Sequence, residues 1–202
     1  MASGQRKQIE DIEKAIDRKD ISKLRELSRR GFGFVNTSLR KRVWPLLLGC
    51  DEEEDTDKTG QEDMKFEHDY TAQISKDTAR SMYSFDVVKE LSLSERQQQQ
   101  AALERILNGI YKANPSMHYT QGFHDMCSVF YIVCGEELGA KLSENLAKRH
   151  MRDLVRDNIE IYQFVLKLLF PLLAICDSEL HSIFADAELS SIFALSWILT
   201  WV

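Results

Sequence analysis

Apolar residues recur along this chain at spacings of three and four, and no stretch shows the strict alternation of a half-buried strand. That periodicity predicts helices throughout. Ile9, Ile12 and Ile16 mark a first helix over Gln8 to Arg18. Asp20 is placed to cap a second, Ile21 to Arg30, which Gly31 and Gly33 end. Thr37 or Ser38 is the expected cap of a third segment, Leu39 to Gly49. A longer helix is expected over Gln61 to Met82, then a connector from Ser84 to Leu93. Ser94-Glu95-Arg96-Gln97 has the form of a capping box ahead of a helix carrying Leu103, Ile106, Leu107, Ile110 and Tyr111. The Gln97 to Gln100 tract in its first turns reads as a wet helix face.

Asn114-Pro115 stops that helix, because the residue before a proline is pushed out of the α region. Gly122 opens the next, whose Phe123, Met126, Cys127, Phe130, Val133 and Cys134 keep the i, i+3, i+4, i+7 rule. The short polar turn between them, Asn114 to Asp125, displays Tyr119 and Gln121 with little freedom. A break is expected over Gly135 to Leu142, and a mixed-charge helix from Ser143 through His150. An apolar helix over Asn158 to Phe170 is expected to stop at Pro171. Asp177 or Ser178 caps another, and a last one from Leu189 is apolar nearly all round and must be buried by something. The sum is an irregular all-α array without internal repeats. Because the chain stops inside a helical pattern, it is expected to be a fragment whose parent continues, with part of the cover for the last helix missing.

The 202 residues suit one large domain, or one domain with an appendage. An apolar fraction of 44% with 29% charged residues is that of a globular chain. A net charge of −6 argues against a general nucleic-acid binder. The four cysteines form no CxxC pair and no Cys/His cluster with zinc spacing, so no metal is expected. Cys127 and Cys134, seven apart on one face, read as small core residues, a pattern that suits a reducing compartment. The N-terminus lacks the apolar run of a signal peptide, and Ile192 to Val202 is too short to span a bilayer. The acidic run Asp51 to Asp57 lacks the alternation and closing glutamate of a calcium loop and reads as a solvated loop.

Two constellations carry candidate chemistry. Ile74, Asp77 and Arg80 are spaced three apart along one helix face. Ile74 anchors that helix, Asp77 sits one turn before Arg80 and accepts hydrogen bonds, and Arg80 lies near the helix end, where a long cation projects outward. Tyr119, Gln121 and Gly122 form the second group. A neutral amide on a rigid turn is a poor acid or base but a good orienter of a water molecule. Upstream, Arg40 and Trp44 are i, i+4 neighbours, with Trp44 expected in the core and Arg40 stacked on it or paired with an acid. A cysteine hydrolase built on His124, Asp125 and Cys127 is a weak rival, because Cys127 falls on the apolar stripe and no oxyanion motif accompanies it. A plain helical adaptor, with Arg80 and Gln121 as ordinary surface residues, is another.

Taken together, Ile-x-x-Asp-x-x-Arg at Ile74, Asp77 and Arg80, Tyr-x-Gln-Gly at Tyr119, Gln121 and Gly122, and Arg-x-x-x-Trp at Arg40 and Trp44 resemble the signature of the TBC-domain Rab GTPase-activating proteins. Ser196 to Trp201 is similar to a later block of that family. The chain departs from the usual pattern at His118, where the family often has glycine, and at His124, where it often has asparagine. The resemblance implies N-terminal helices over 1–30 and, over 31–202, the N-terminal and central part of a TBC domain truncated at its C-terminal side. It implies a GTPase activator with no hydrolytic activity or cofactor of its own, because GTP and magnesium are carried by the Rab partner in its GTP state. Arg80 would be an arginine finger and Gln121 a glutamine finger, with Ile74, Asp77, Tyr119, Gly122, Asp125, Arg40 and Trp44 supporting or contacting the Rab. A catalytically silent Rab-binding scaffold of the same fold is the alternative. The resemblance also implies work in vesicle trafficking between endoplasmic reticulum and Golgi, on the cytoplasmic side. Membrane association would then come from a segment of the full-length protein outside these residues.

Overall fold

A computed structural model describes residues 3–50, 70–83, 85–151, 159–195 and 197. Among these the fold is all-α, as the periodicity predicts. The acidic run Asp51 to Asp57, the first part of the helix expected from Gln61, and most of the Ser196 to Trp201 block lie outside the described residues.

Three helices make an N-terminal layer: α1 (Ser3–Asp17), α2 (Ile21–Ser28) and α3 (Thr37–Leu48). Asp20 caps α2 as expected, its carboxylate accepting from the Lys23 amide at 2.9 Å. The cap of α3 is Asn36 rather than Thr37 or Ser38. Its extended backbone aims the side-chain carbonyl at the Leu39 amide, 2.9 Å away, so Thr37 is already the first helical residue. Ile12, Leu24, Leu27, Phe34, Leu39 and Val43 form the core shared by these three helices.

The second layer holds α4 (Thr71–Ala79), the short α5 (Asp86–Lys89), α6 (Leu93–Ala113), α7 (Phe123–Cys134) and α8 (Glu136–Asn145). Its core gathers Ile74, Met82, Leu103, Leu107, Ile110, Tyr111, Phe123, Cys127 and Leu146. The capping box of α6 is formed by Ser92 and Glu95, not Ser94 and Gln97. Ser92 Oγ accepts from the Glu95 amide at 3.3 Å, and Glu95 Oε2 accepts from the Ser92 amide at 2.9 Å. A glutamate three residues after a serine returns an ionised acceptor, which the glutamine at 97 lacks. Only Gly135 breaks the chain between α7 and α8; the expected loop up to Leu142 is helix. The two helices cross closely because Gly139 has no side chain: a β-carbon there would lie 3.0 Å from the Tyr131 Cα. After α8 a single π-helical turn, Leu146–His150, closes this layer.

Trp44 joins the layers, its ring meeting Phe130 edge-on at 5.5 Å. Beyond lie α9 (Ile159–Lys167), α10 (Leu169–Cys176) and α11 (Ser178–Asp186), with Asp177 capping α11 as expected. Pro171 does not end the preceding helix. It sits in the first turn of α10, where its missing N–H has no intrahelical partner to lose. The chain after Leu189 first makes a 3₁₀ turn, Ser191–Ala194, where the last helix was expected to begin, and most of the rest of that helix lies outside the described residues. Ile175, Leu172, Ile192 and Trp197 are exposed, so the described residues do not supply the expected cover. No described helix is long and apolar enough to cross a membrane.

Candidate functional site

The site is built at the seam between the C-terminal end of α4 and the turn that precedes α7. Ile74 and Asp77 both point inward from α4, each fully buried, while Arg80 stands at the helix C-cap with 60% of its side chain exposed. The spacing of three places them on one face, and the end of the helix changes the outcome for the third. At the C-cap the backbone leaves the helical path, so a long cation reaches outward next to the negative end of the helix dipole. Ile74 is thus a core anchor rather than a surface for a partner.

Asp77 is the hub. Its Oδ1 accepts from Arg80 Nη2 and from Gln73 Nε2 at 3.0 Å. Its Oδ2 accepts from the Tyr119 hydroxyl at 2.9 Å. Burial on its own raises the Asp77 carboxyl; the donors from Tyr119, Gln73 and Arg80, with His124 nearby, outweigh it and hold the carboxyl below its ordinary value. Asp77 is therefore a charged, hydrogen-bonded buried carboxylate, the condition under which such a group is tolerated.

The turn is fixed from both ends. Asn114 caps α6 through its amide, which donates to Ile110 O at 2.8 Å and to Glu144 at 2.9 Å. Gly122 adopts φ 100° and ψ −22°, the left-handed region that a β-carbon penalises, and lets the Phe123 amide reach Thr120 O at 3.1 Å. Behind the turn, the Tyr111 ring meets Tyr119 at 5.6 Å and Tyr70 at 5.7 Å, both edge-on. Tyr70 Oη lies 2.7 Å from His118 Nδ1, so this histidine has a hydrogen-bond role here. Gln121 is left exposed two residues from Tyr119. The structure thus brings together Asp77, Arg80 and Tyr119, with Gln121 and Gly122 on the same turn.

His124, buried at the start of α7, extends the network. Its Nδ1 is 3.1 Å from Tyr119 Oη and its Nε2 is 3.4 Å from Asp125 Oδ1. Since Tyr119 gives its hydrogen to Asp77, Nδ1–H donates to the tyrosine oxygen. Burial pushes the imidazolium down, against the pull of Asp125 and Asp77, so His124 is neutral at pH 7. Asp125 itself is exposed, and with the His124 proton on Nδ1 it lies 3.4 Å from the bare Nε2 as a nearby charge rather than as a hydrogen-bonded member of the Asp77 network. Burial and the Asp77 charge push the Tyr119 phenol up, so it stays a donor.

Arg40 and Trp44 belong to a different part of the fold. Trp44 is half-buried against Phe130, as a core residue. Arg40 has neither an acid partner nor a cation–π contact with Trp44 among the described residues, where the one such contact is Arg96 over Tyr83. The hydrolase reading fails on Cys127: complete burial, only partly offset by a hydrogen bond with Ser143, pushes its thiol up to about 12. Among the described residues no His, Cys, Asp and Glu side chains are grouped to hold a metal.

Sequence reasoning gave two site residues no role. Gln73 lies four before Asp77, and helical spacing already puts it, or Ile74, on the Asp77 side of the helix. Gln100, from the tract read as a wet face, donates to Ala79 O at 2.9 Å and Ser81 O at 3.4 Å, the carbonyls on either side of Arg80. Nothing local marks it, because its partners are about twenty residues away. Gln99 is likewise engaged, accepting from the Tyr131 hydroxyl at 2.6 Å, whereas Gln97 and Gln98 are exposed as expected.

Comparison with known proteins bears on the same residues. A search of curated proteins finds TBC1 domain family member 20 of Homo sapiens, 31% identical over 198 residues, covering 97% of this chain and 48% of the relative. GTPase-activating protein gyp10 of Schizosaccharomyces pombe is 25% identical over 191 residues, covering 95% of this chain and 50% of the relative. GTPase-activating protein GYP8 of Saccharomyces cerevisiae is 28% identical over 212 residues, covering 94% and 41%. The chain therefore spans about half the length of the curated relatives it matches. The family model for the Rab-GTPase-TBC domain matches residues 37–202, which include α3, the whole Asp77 hub and the glutamine turn. The chain belongs to the Rab-GTPase-TBC domain family.

Proposed function

We propose that this protein accelerates GTP hydrolysis by a Rab in its GTP state, with Arg80 and Gln121 entering the Rab's nucleotide site together. Residues 31–202 form the Rab-facing domain and 1–30 a helical addition to it. The supporting observation is the Tyr119–Asp77 hydrogen bond of 2.9 Å, which joins the arginine helix to the glutamine turn through one buried carboxylate.

Phosphoryl transfer asks little covalent chemistry of a protein; it asks for positioning and for charge opposite the phosphoryl oxygens. Arg80 supplies a permanent planar cation on an exposed stem whose root is held by Asp77. Gln121 supplies an amide that donates to and accepts from an attacking water without competing for its proton. GTP and magnesium are the Rab's, and this chain contributes no cofactor. Leaving Asp77 for a phosphate costs Arg80 little, since Gln73 and Tyr119 continue to satisfy the carboxylate. We extend the proposal to action between endoplasmic reticulum and Golgi, on the cytoplasmic face, with membrane association through a segment outside these residues, as the motif resemblance implies.

An arginine finger contributes on the order of 10³- to 10⁵-fold in rate, about 4 to 7 kcal/mol of barrier. The Arg80–Asp77 pair joins a buried carboxylate to a mostly exposed guanidinium, and a pair screened by solvent on its cationic side is worth far less than that barrier. A panel of GTP-loaded Rabs, followed by phosphate release, tests the reading. At least one Rab is accelerated by the parent and not by Arg80→Ala. GTP-dependent binding without acceleration of any Rab would instead establish the silent scaffold.

A further inference from the structure

We propose that Gln100 is the positioning residue of the arginine finger. This rests on the reading of Arg80 given above and adds how its direction is set. Arg80 is a long, mostly exposed side chain, so its aim depends on the backbone that carries it. That backbone lies at a corner. Arg80 sits at φ −105° and ψ 1°, in the sparsely populated bridge region. Two residues on, Met82 has φ 71°, a left-handed conformation that non-glycine residues rarely take. Such conformations persist where the surroundings over-determine them.

Two sets of contacts do so here. From within, Met82 is buried in the core, and Ser81 Oγ donates to Thr78 O at 2.9 Å. From the side, α6 sends the Gln100 carboxamide across to the corner. Its single nitrogen carries two hydrogens, one aimed at Ala79 O at 2.9 Å and one at Ser81 O at 3.4 Å. Ala79 O is one of the carbonyls that a helix end leaves without an intrahelical donor. The amide thus ties the carbonyl of the Ala79–Arg80 peptide to that of the Ser81–Met82 peptide, spanning Arg80 and Ser81, and so restrains the direction of the Arg80 Cα–Cβ bond. Gln100 touches neither nucleotide nor Arg80's guanidinium; it acts through the backbone.

The test is single-turnover hydrolysis by an accelerated Rab, with the full-length protein carrying Gln100→Glu, Gln100→Met or Gln100→Lys, and with Arg80→Ala alongside. Glutamate keeps the size and loses both hydrogens, setting a carboxylate against two carbonyl oxygens. Methionine keeps the length without charge, and lysine restores a donor. All three are good helix formers, so α6 is preserved. Glutamate and methionine are expected to lower the maximal rate on the order of tenfold to a hundredfold, the scale of a small misplacement. The half-saturating concentration should stay within about twofold, and lysine should recover most of the rate. If glutamate does not fold, as read by thermal melting, methionine carries the comparison. A parent-like maximal rate in the donor-less variants overturns the proposal. So does a loss that lysine fails to restore, or one confined to the half-saturating concentration. Arg80→Ala separates the failures: if it still accelerates like the parent, the finger itself is wrong; if it is inert while Gln100→Met is parent-like, only the positioning role is wrong.

Discussion

Tyr119 Oη donates to Asp77 Oδ2 at 2.9 Å across forty-two residues of chain. One hydrogen bond therefore couples the last turn of α4, which carries Arg80, to the turn that carries Gln121. Neither residue needs to face a partner to matter: Asp77 is fully buried, and Tyr119 is walled by Tyr111 and Tyr70.

Tyr119→Phe should cost about 1.5 to 3 kcal/mol, the range for a hydrogen bond to a charged group, read by urea unfolding. It should also lower Rab acceleration, because the two fingers lose their shared anchor. A double-mutant cycle with Asp77→Asn should be clearly non-additive, since both substitutions break the same bond. Additive losses would mean that the two act separately.

Gly122→Ala places a β-carbon at φ 100°. The expected destabilisation is about 1 to 2 kcal/mol, the penalty for an L-residue in the left-handed region. The rate loss should exceed what that destabilisation predicts, because the altered turn displaces Gln121. The Gln121→Ala rate in the same background should then change little further.

The pH dependence of stability follows from two groups whose folded values are both lowered. For His124 the cause is burial, opposed by Asp125 and Asp77. As pH falls through about 6.5, the unfolded chain takes up a proton that the folded chain refuses, so stability declines from there down to the lower folded value. For Asp77, burial opposes the shift and the donors Tyr119, Gln73 and Arg80 overcome it. Its contribution is complete above about pH 4 and is lost as pH falls through the folded value. Thermal melting from pH 7.5 to 5 should therefore show the parent losing stability relative to His124→Asn. A parallel decline in both proteins would show that the ring does not stay neutral.

Much of this was legible in the residues, for identifiable reasons. Helix periodicity, the Asp20 and Asp177 caps and the Gly122 opening depend on neighbours within four positions, and they read correctly. The face shared by Ile74, Asp77 and Arg80 follows from spacing alone. What sequence could not convey is which of several adjacent polar residues wins a cap, as with Asn36 over Thr37 and Ser92 over Ser94. Contacts across the fold were equally silent. Gln100 looked like one of four solvated glutamines, and its place beside Arg80 is decided by how α6 packs on α4.

The central claim is tested most directly by single-turnover phosphate release from a GTP-loaded Rab that the parent accelerates, comparing Arg80→Lys, Arg80→Ala and Gln121→Ala under saturating protein. Each variant is expected to lose on the order of 10³-fold or more of the acceleration, with melting temperatures near the parent's because both side chains are exposed. Variants that still accelerate hydrolysis like the parent would contradict the two-finger account.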